Sequence, residues 1–105
     1  MEMIDFKIEH FFSDNLYVRK MELEKGHTSF THKHVYDHLS ILAKGSACVT
    51  VDGVMTEYVA PAVIEIEKNQ THKIYAIQNL VWYCIHSTDA TTTEEIESQT
   101  VVMEN

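Results

Sequence analysis

The sequence has 105 residues, the length of one domain, and carries 16 acidic residues against eight lysines and arginines. Its 45% hydrophobic and 23% charged content excludes a disordered chain. No apolar run approaches the roughly 20 residues of a membrane span, and no basic run exists to neutralise phosphates, so we expect neither a membrane nor a nucleic acid as partner.

The first residues, Met1 to Asp5, show neither the basic nor the apolar region of a secretory signal, so we expect a cytoplasmic protein. Residues 4–12 then alternate between apolar and mostly polar side chains, which predicts an N-terminal strand. On a chain this small, such a segment favours a strand added to a partner's sheet, so residues 1–13 are predicted to form the interface of a homodimer.

Strand-like runs continue along the rest of the chain, separated by short turns such as Asp52-Gly53, a strong hairpin signal. No sustained period of 3.6 residues appears among them, which predicts an all-β sandwich or barrel. No linker or repeat divides the sequence, so residues 1–105 are predicted to form a single domain that ends in an acidic tail over 89–105. The predicted strands cover residues 15–24, 36–43, 47–51, 54–59, 62–67, 72–77 and 80–86.

Three of the seven histidines, His32, His34 and His38, fall within seven positions. Residues two apart on a strand share a face and lie about 6.6–7 Å apart, so two such imidazoles can converge on one ion. A roughly continuous strand brings His38 to the same face, and a barrel can carry His72, at the start of a later strand, across to the same cavity. The alternative is that this face points to water and that its histidines are merely exposed.

The spacing around these histidines resembles the first motif of the cupin family: a glycine, five residues, His-x-His, three or four residues, a glutamate, six residues and a glycine. His38 stands at the glutamate position, and His72 matches the second motif by identity. The chain therefore resembles a small single-domain cupin over about residues 16–88. The other matching residues of the first motif are Gly26, His32, His34 and Gly45.

This resemblance implies a barrel of two packed antiparallel sheets, the cupin-type double-stranded β-helix or jelly roll, with a metal ion inside. A subset of small cupins has four histidines in this arrangement, and oxidative chemistry is often associated with them. The resemblance also implies pairing into a homodimer. The metal ligands that it implies are His32, His34, His38 and His72.

Four neutral imidazoles leave the full formal charge on the metal and favour anionic ligands in its open positions. A six-coordinate ion retains two adjacent open positions, whereas a tetrahedral zinc held by four histidines is closed and structural. Imidazole suits several transition metals. We expect one divalent transition metal, with manganese or iron favoured and copper, nickel or zinc possible.

Strand parity predicts the residues that line the cavity. His86 shares a face with two of them and is a candidate second-sphere acid or base. The alternative is that Trp82 and Cys84 are plain core and that His86 lies at the surface. The predicted lining residues are Phe30, Tyr36, Ser40, Trp82 and Cys84.

Together these features predict a metal-dependent oxygenase or related oxidoreductase, similar to a dioxygenase, that acts on a small organic molecule. Two other classes remain open: an isomerase or lyase that uses the metal only as a Lewis acid, and a non-catalytic metal-binding or ligand-binding module. The fold alone does not separate them, and no sequence feature names a substrate.

Overall fold

The structure is a computed structural model that describes residues 7–30, 38–67 and 70–87. Within these ranges no helix is long and apolar enough to cross a membrane. The described residues form nine strands: β1 (Lys7–Ser13), β2 (Leu16–Leu23), β3 (Thr28–Phe30), β4 (His38–Lys44), β5 (Ser46–Val51), β6 (Val54–Val59), β7 (Ala62–Ile66), β8 (His72–Ala76) and β9 (Leu80–Ser87).

The strands form two antiparallel sheets, which confirms the predicted all-β architecture. One sheet has the order β1-β2-β9-β4-β7 and the other the order β3-β8-β5-β6. The Asp52-Gly53 turn joins β5 to β6 as predicted, with φ angles of 46° and 86°. Positive φ at both residues is the conformation that a two-residue hairpin turn requires, and Asp-Gly tolerates it well.

Strands β3 and β4, which flank residues 31–37, belong to different sheets. Ser29 and Ser40 are both buried, at 1% and 0% exposure, although one position is odd and the other even. A single alternation count therefore cannot run through this part of the chain. Residues 31–37, between the two strands, lie outside the described residues.

The N-terminal strand β1 pairs with β2 of the same chain, from Lys7 opposite Glu22 to Ser13 opposite Leu16. It forms one edge of the five-stranded sheet. Its predicted role at an interface with a second copy stays a prediction. The predicted acidic tail, residues 89–105, lies outside the described residues, as do residues 1–6.

The core lies between the two sheets and takes one face of each strand. In β8, and in β9 as far as Cys84, every second residue is buried from the first position onward, which is the pattern of a strand with one interior face. Burial of each large apolar side chain contributes about 1.5–3 kcal/mol relative to its exposure to water. The largest fully buried apolar side chains of this core, none more than 1% exposed, are Met21, Leu42, Val49, Ile66, Ile74 and Trp82.

Gly45, between β4 and β5, combines a left-handed backbone with a close approach. Its φ is +87°, and a Cβ atom built on it would collide with the backbone carbonyl of Asn79. Gly53 has nearly the same φ, +86°, but a Cβ atom there meets nothing within 4 Å. The two glycines therefore separate the cost of the backbone conformation from the cost of the collision.

We expect Gly53→Ala to lower the free energy of unfolding by about 1–2 kcal/mol, the cost of a left-handed residue with a side chain. Gly45→Ala should cost at least about 2 kcal/mol more, because the β4–β5 turn must move away from Asn79. Urea unfolding of both variants measures the difference. Equal losses would show that the close approach to Asn79 does not constrain this turn.

Candidate functional site

The inner face of the five-stranded sheet changes from apolar to polar along its strands. The registers of β2, β9 and β4 align their inward side chains into rows that cross the sheet. The first row is Met21, Trp82 and Leu42, the second is Arg19, Cys84 and Ser40, and the third contains Tyr17 and His86.

The polar end of this sheet coincides with the end of the other sheet at which His72 lies. His38, the first residue of β4, is opposite Ile66, the last residue of β7. The chain then passes through residues 67–71 and enters the second sheet at His72, the first residue of β8. Since Leu39 is opposite Ile85, His86 lies at this end too. We call this part of the molecule the histidine end, defined by the positions of His38, His72 and His86.

His72 is an interior residue with 3% exposure. It is opposite Val51 of β5 and shares the inner face of β8 with Ile74 and Ala76, which are both buried. Burial of an imidazole among aliphatic side chains is costly unless it has polar partners. Its interior position on β8 makes His72 a candidate functional or ligand-binding histidine.

The other three predicted ligands are described less fully. His38 occupies a register position of the same parity as Ser40 and Leu42, and its side chain lies outside the described part of the structure. His32 and His34 fall within residues 31–37, also outside it, as does Tyr36. Among the described side chains no three His, Cys, Asp or Glu residues are grouped closely enough to hold a metal. The four-histidine site stays a prediction.

Strand β9 presents the face of Trp82 and Cys84 to the interior, with exposures of 0% and 8%. Ser40 is also fully buried, and its Oγ lies 3.7 Å from the Sγ of Cys84. These residues are interior, and their role as the lining of a ligand cavity stays a prediction. In β3 the buried residue is Ser29, and the side chain of Phe30 lies outside the described ones.

Two polar atoms of β9 are buried without a hydrogen-bond partner among the described residues: Nε1 of Trp82 and Nε2 of His86. Buried polar atoms are nearly always paired, so each exception calls for a water, an ion or a ligand that completes it. Both atoms belong to the strand that runs from the apolar end of the sheet to the histidine end. The interior surface of β9 therefore presents two polar atoms that a water, an ion or a ligand can pair with.

His86 is half-buried beside Tyr17, with 5.2 Å between the ring centroids. Burial lowers the pKa of His86 below its usual value of 6.5. Tyr17 in turn packs on Phe12, and its hydroxyl lies 2.6 Å from Nδ1 of His10. At neutral pH the imidazole of His86 is therefore uncharged and can accept a proton or bind a cation.

The sequence-based prediction of the site missed Arg19, Tyr17 and His10. Tyr17 and Arg19 have a signal in strand alternation, since they share the parity of the buried Met21 and Leu23 in β2. His10 lies directly opposite Arg19 in the β1–β2 pair.

A separate groove lies at the opposite end of the sheet, around Leu23 and Leu80. Charges of both signs line it, from Lys7, Lys44, Glu22 and Glu24. It has no interior histidine, so its chemistry does not match that of the histidine end.

The pKa of His86 predicts a dependence of stability on pH. Between the lowered pKa of the folded state and the usual 6.5, the unfolded chain binds a proton that the folded chain does not. The contribution of His86 to stability is therefore present above pH 6.5 and is lost as the pH falls below it. His86→Gln removes this proton uptake and should make the loss of stability between pH 7.5 and 5.5 shallower.

Thermal unfolding of chelator-treated protein across this pH range measures the effect without a contribution from bound metal. The control is Ser87→Ala, an exposed position on the same strand that exchanges no proton here. If the slope of His86→Gln equals that of the wild type, burial of His86 does not contribute to the pH dependence.

No known family model and no curated protein matches the sequence. Solved structures do match it. An RmlC-like cupin from Shewanella frigidimarina has a TM-score of 0.72 at 22% identity, over 87% of this chain and 80% of that one. An RmlC-like cupin with a double-stranded β-helix fold, from Methanocaldococcus jannaschii, has a TM-score of 0.70 at 15% identity, over 84% of each chain.

Salicylate 1,2-dioxygenase from Pseudoaminobacter salicylatoxidans, in adducts with gentisate, matches with a TM-score of 0.73 at 16% identity. The match covers 90% of this chain but 27% of the dioxygenase chain, so it concerns one part of a much longer protein. At these identities the likeness concerns the fold. The predicted cupin-type double-stranded β-helix of two antiparallel sheets is confirmed.

Proposed function

We propose that this chain is a metal-dependent cupin that acts on a small organic molecule as an oxygenase or related oxidoreductase. The observation that carries the proposal is the buried His72 at the end of the barrel where β4 begins and β9 presents His86. The likeness in fold to a dioxygenase that binds gentisate supports it.

The described residues of the histidine end fit a divalent transition metal. His72 is buried among aliphatic side chains, and Nε2 of His86 is buried with no partner among the described residues. Neutral imidazole is a ligand for manganese, iron, copper, nickel and zinc, and we propose manganese or iron for oxidative chemistry. The residues proposed to hold the metal are His32, His34, His38 and His72.

A bound metal would supply a concentrated positive charge and open coordination positions that polarise an oxygen atom of the substrate. His86, uncharged at neutral pH, would accept a proton from the substrate. The buried Ser40, Trp82 and Cys84 would form the wall beside it and exclude water, and Phe30 and Tyr36 are proposed to complete the lining.

His86 also favours a second candidate, an isomerase or lyase. A half-buried neutral imidazole at the histidine end suits a reaction in which a proton moves to or from carbon, with the metal acting only as a Lewis acid. Such a reaction consumes no oxygen. A non-catalytic metal-binding module would show neither oxygen consumption nor substrate turnover.

The metal ligands are tested by single substitutions and by metal analysis of protein purified without added metal. The wild type should contain close to one transition metal per chain, held by ring nitrogens at about 2.0–2.2 Å in X-ray absorption. Alanine at any of the four proposed ligands should lower the metal content sharply. His27→Ala is the matched control, because His27 lies at the other end of β3 from residues 31–37.

Oxygen uptake then separates the candidate functions. With a panel of small aromatic and enolisable compounds, the wild type should consume oxygen, and His72→Ala should not. Turnover without oxygen uptake would point to the isomerase or lyase. Full metal occupancy in His38→Ala would mean that His38 is a neighbour of the metal and that the four-histidine site is wrong.

We also propose that the chain forms a homodimer whose interface includes the N-terminal segment 1–13 and extends over the outer face of the five-stranded sheet. A line of apolar side chains crosses this face, with Phe11 on β1 and Leu39 on β4 exposed at 48% and 49%. The registers place Val18 and Ile85 between them. Exposed apolar patches of this kind mark interaction sites.

Light scattering at micromolar concentration should give the mass of a dimer for the wild type and the mass of a monomer for Leu39→Asp. Val54→Asp, a change at an apolar residue of the other sheet that is 67% exposed, should leave the dimer intact. A monomeric wild type would overturn the proposal.

A further inference from the structure

Arg19 is the only arginine of the sequence, and it lies on the inner face of the five-stranded sheet. In β2 it is flanked on that face by Tyr17 and Met21, which are 4% and 1% exposed. Arg19 itself is half-buried. An arginine in this row interrupts a stripe of interior side chains, so its charge is placed partly out of contact with water.

The neighbours of Arg19 across the sheet carry no carboxylate. Cys84 lies opposite it on β9, and Ser40 lies next in the same row on β4. On the other side, His10 is its partner on β1. Among residues 7–30, 38–67 and 70–87, no acidic side chain forms an ion pair with Arg19.

Among the described residues no acid pairs with Arg19, in contrast to the composition of the chain, which has 16 acidic residues for eight basic ones. The adjacent Lys20, on the outer face, has two acidic partners: its Nζ lies 3.5 Å from a carboxylate oxygen of Glu9 and 3.9 Å from one of Glu22. A partly buried guanidinium without a counter-ion is costly, and an anion that enters the interior offsets that cost.

The position of Arg19 relative to the histidine end suits a ligand of a few atoms. Its row is one step from the row of Tyr17 and His86, about 6.6–7 Å along the strand. A planar guanidinium forms two parallel hydrogen bonds with a carboxylate, so it fixes the orientation of the ligand as well as its charge.

We propose that Arg19 binds the carboxylate of the substrate, so that the substrate is a small organic acid whose reacting oxygen points toward the histidine end. The assignment of a reacting end rests on the proposed function above. The binding of a carboxylate by Arg19 does not depend on it.

The test follows the side-chain Nε–H signal of arginine in a ¹H–¹⁵N spectrum of the wild type. Because the chain has one arginine, this signal needs no assignment. Acetate and benzoate should shift it with saturation, and the neutral acetamide and benzamide should not. If neither carboxylate shifts the signal, the proposal is overturned.

Dissociation constants for benzoate are then compared among variants. Arg19→Gln should bind roughly tenfold more weakly or worse, the effect of losing a charge-assisted pair of hydrogen bonds. Arg19→Lys should bind benzoate with an affinity between those of the wild type and Arg19→Gln, because lysine keeps the positive charge but cannot form the two parallel hydrogen bonds. Lys20→Gln, the same loss of charge on the outer face, should change binding less than about twofold. An equal loss in Lys20→Gln would mean general charge attraction and would overturn the proposal.

Each titration is made on metal-stripped and on metal-loaded protein. If the proposed metal binding by the four histidines is wrong, the wild type holds no metal, yet benzoate still shifts the arginine signal. If the proposed carboxylate binding by Arg19 is wrong, the metal content is normal and benzoate does not shift the arginine signal. If Arg19→Gln does not fold, the wild-type signal and Arg19→Lys still decide the outcome.

Discussion

Strand β9 is held between β2 and β4 by two antiparallel ladders, and the registers of those ladders decide which side chains meet inside the molecule. A slip of one residue would turn Trp82 and Cys84 outward and bring Tyr83 and Ile85 in. The full burial of Trp82 opposes such a slip, because no outward position would enclose a side chain of that size. The same registers that place Trp82 in the core place Arg19 beside Cys84 and Tyr17 beside His86, so core packing also positions the polar groups.

The registers of β2, β9 and β4 divide the interior into an apolar end and a polar end. Apolar side chains occupy one end of the inner face, where Leu23 is opposite Leu80, and polar ones occupy the other. Burial of the first group stabilises the sandwich and leaves the second group free to differ in chemistry without loss of the core. A barrel built in this way can keep its fold while its site changes, which agrees with a likeness to known cupins at no more than 22% identity in the matches described above.

The sequence predicted those parts of the fold in which short-range chemistry decides the structure. Asp52-Gly53 fixes a hairpin turn locally, and the alternation of residues 80–86 marks one interior face. It could not predict the path between Ser29 and Ser40, because alternation counts positions within one strand and carries no information about a change of sheet. The same limit applies to the proposed histidine ligands, because His32 and His34 lie in that segment.

Arg19 shows a different reason why the site could not be predicted fully from the sequence. The sequence predicts a strand over residues 15–24 from its β-branched, aromatic and aliphatic residues, and that prediction gives the charged Arg19 no role. A residue that breaks the binary pattern of an otherwise interior face is the informative one, since burial of a charge must be offset by something. The proximity of His10 to Tyr17 is recognisable only once the β1–β2 register is known, because it comes from pairing between strands.

The enclosure of Trp82 has a consequence for optical spectroscopy. It is the only tryptophan of the chain and has no exposed surface, so all indole fluorescence comes from one environment within the core. Its row adjoins the row of Arg19 and Cys84, which puts the fluorophore close to the polar half of the interior and far from the outer face of the sheet. The emission of the native protein therefore reports on events inside the barrel and is insensitive to changes at its surface.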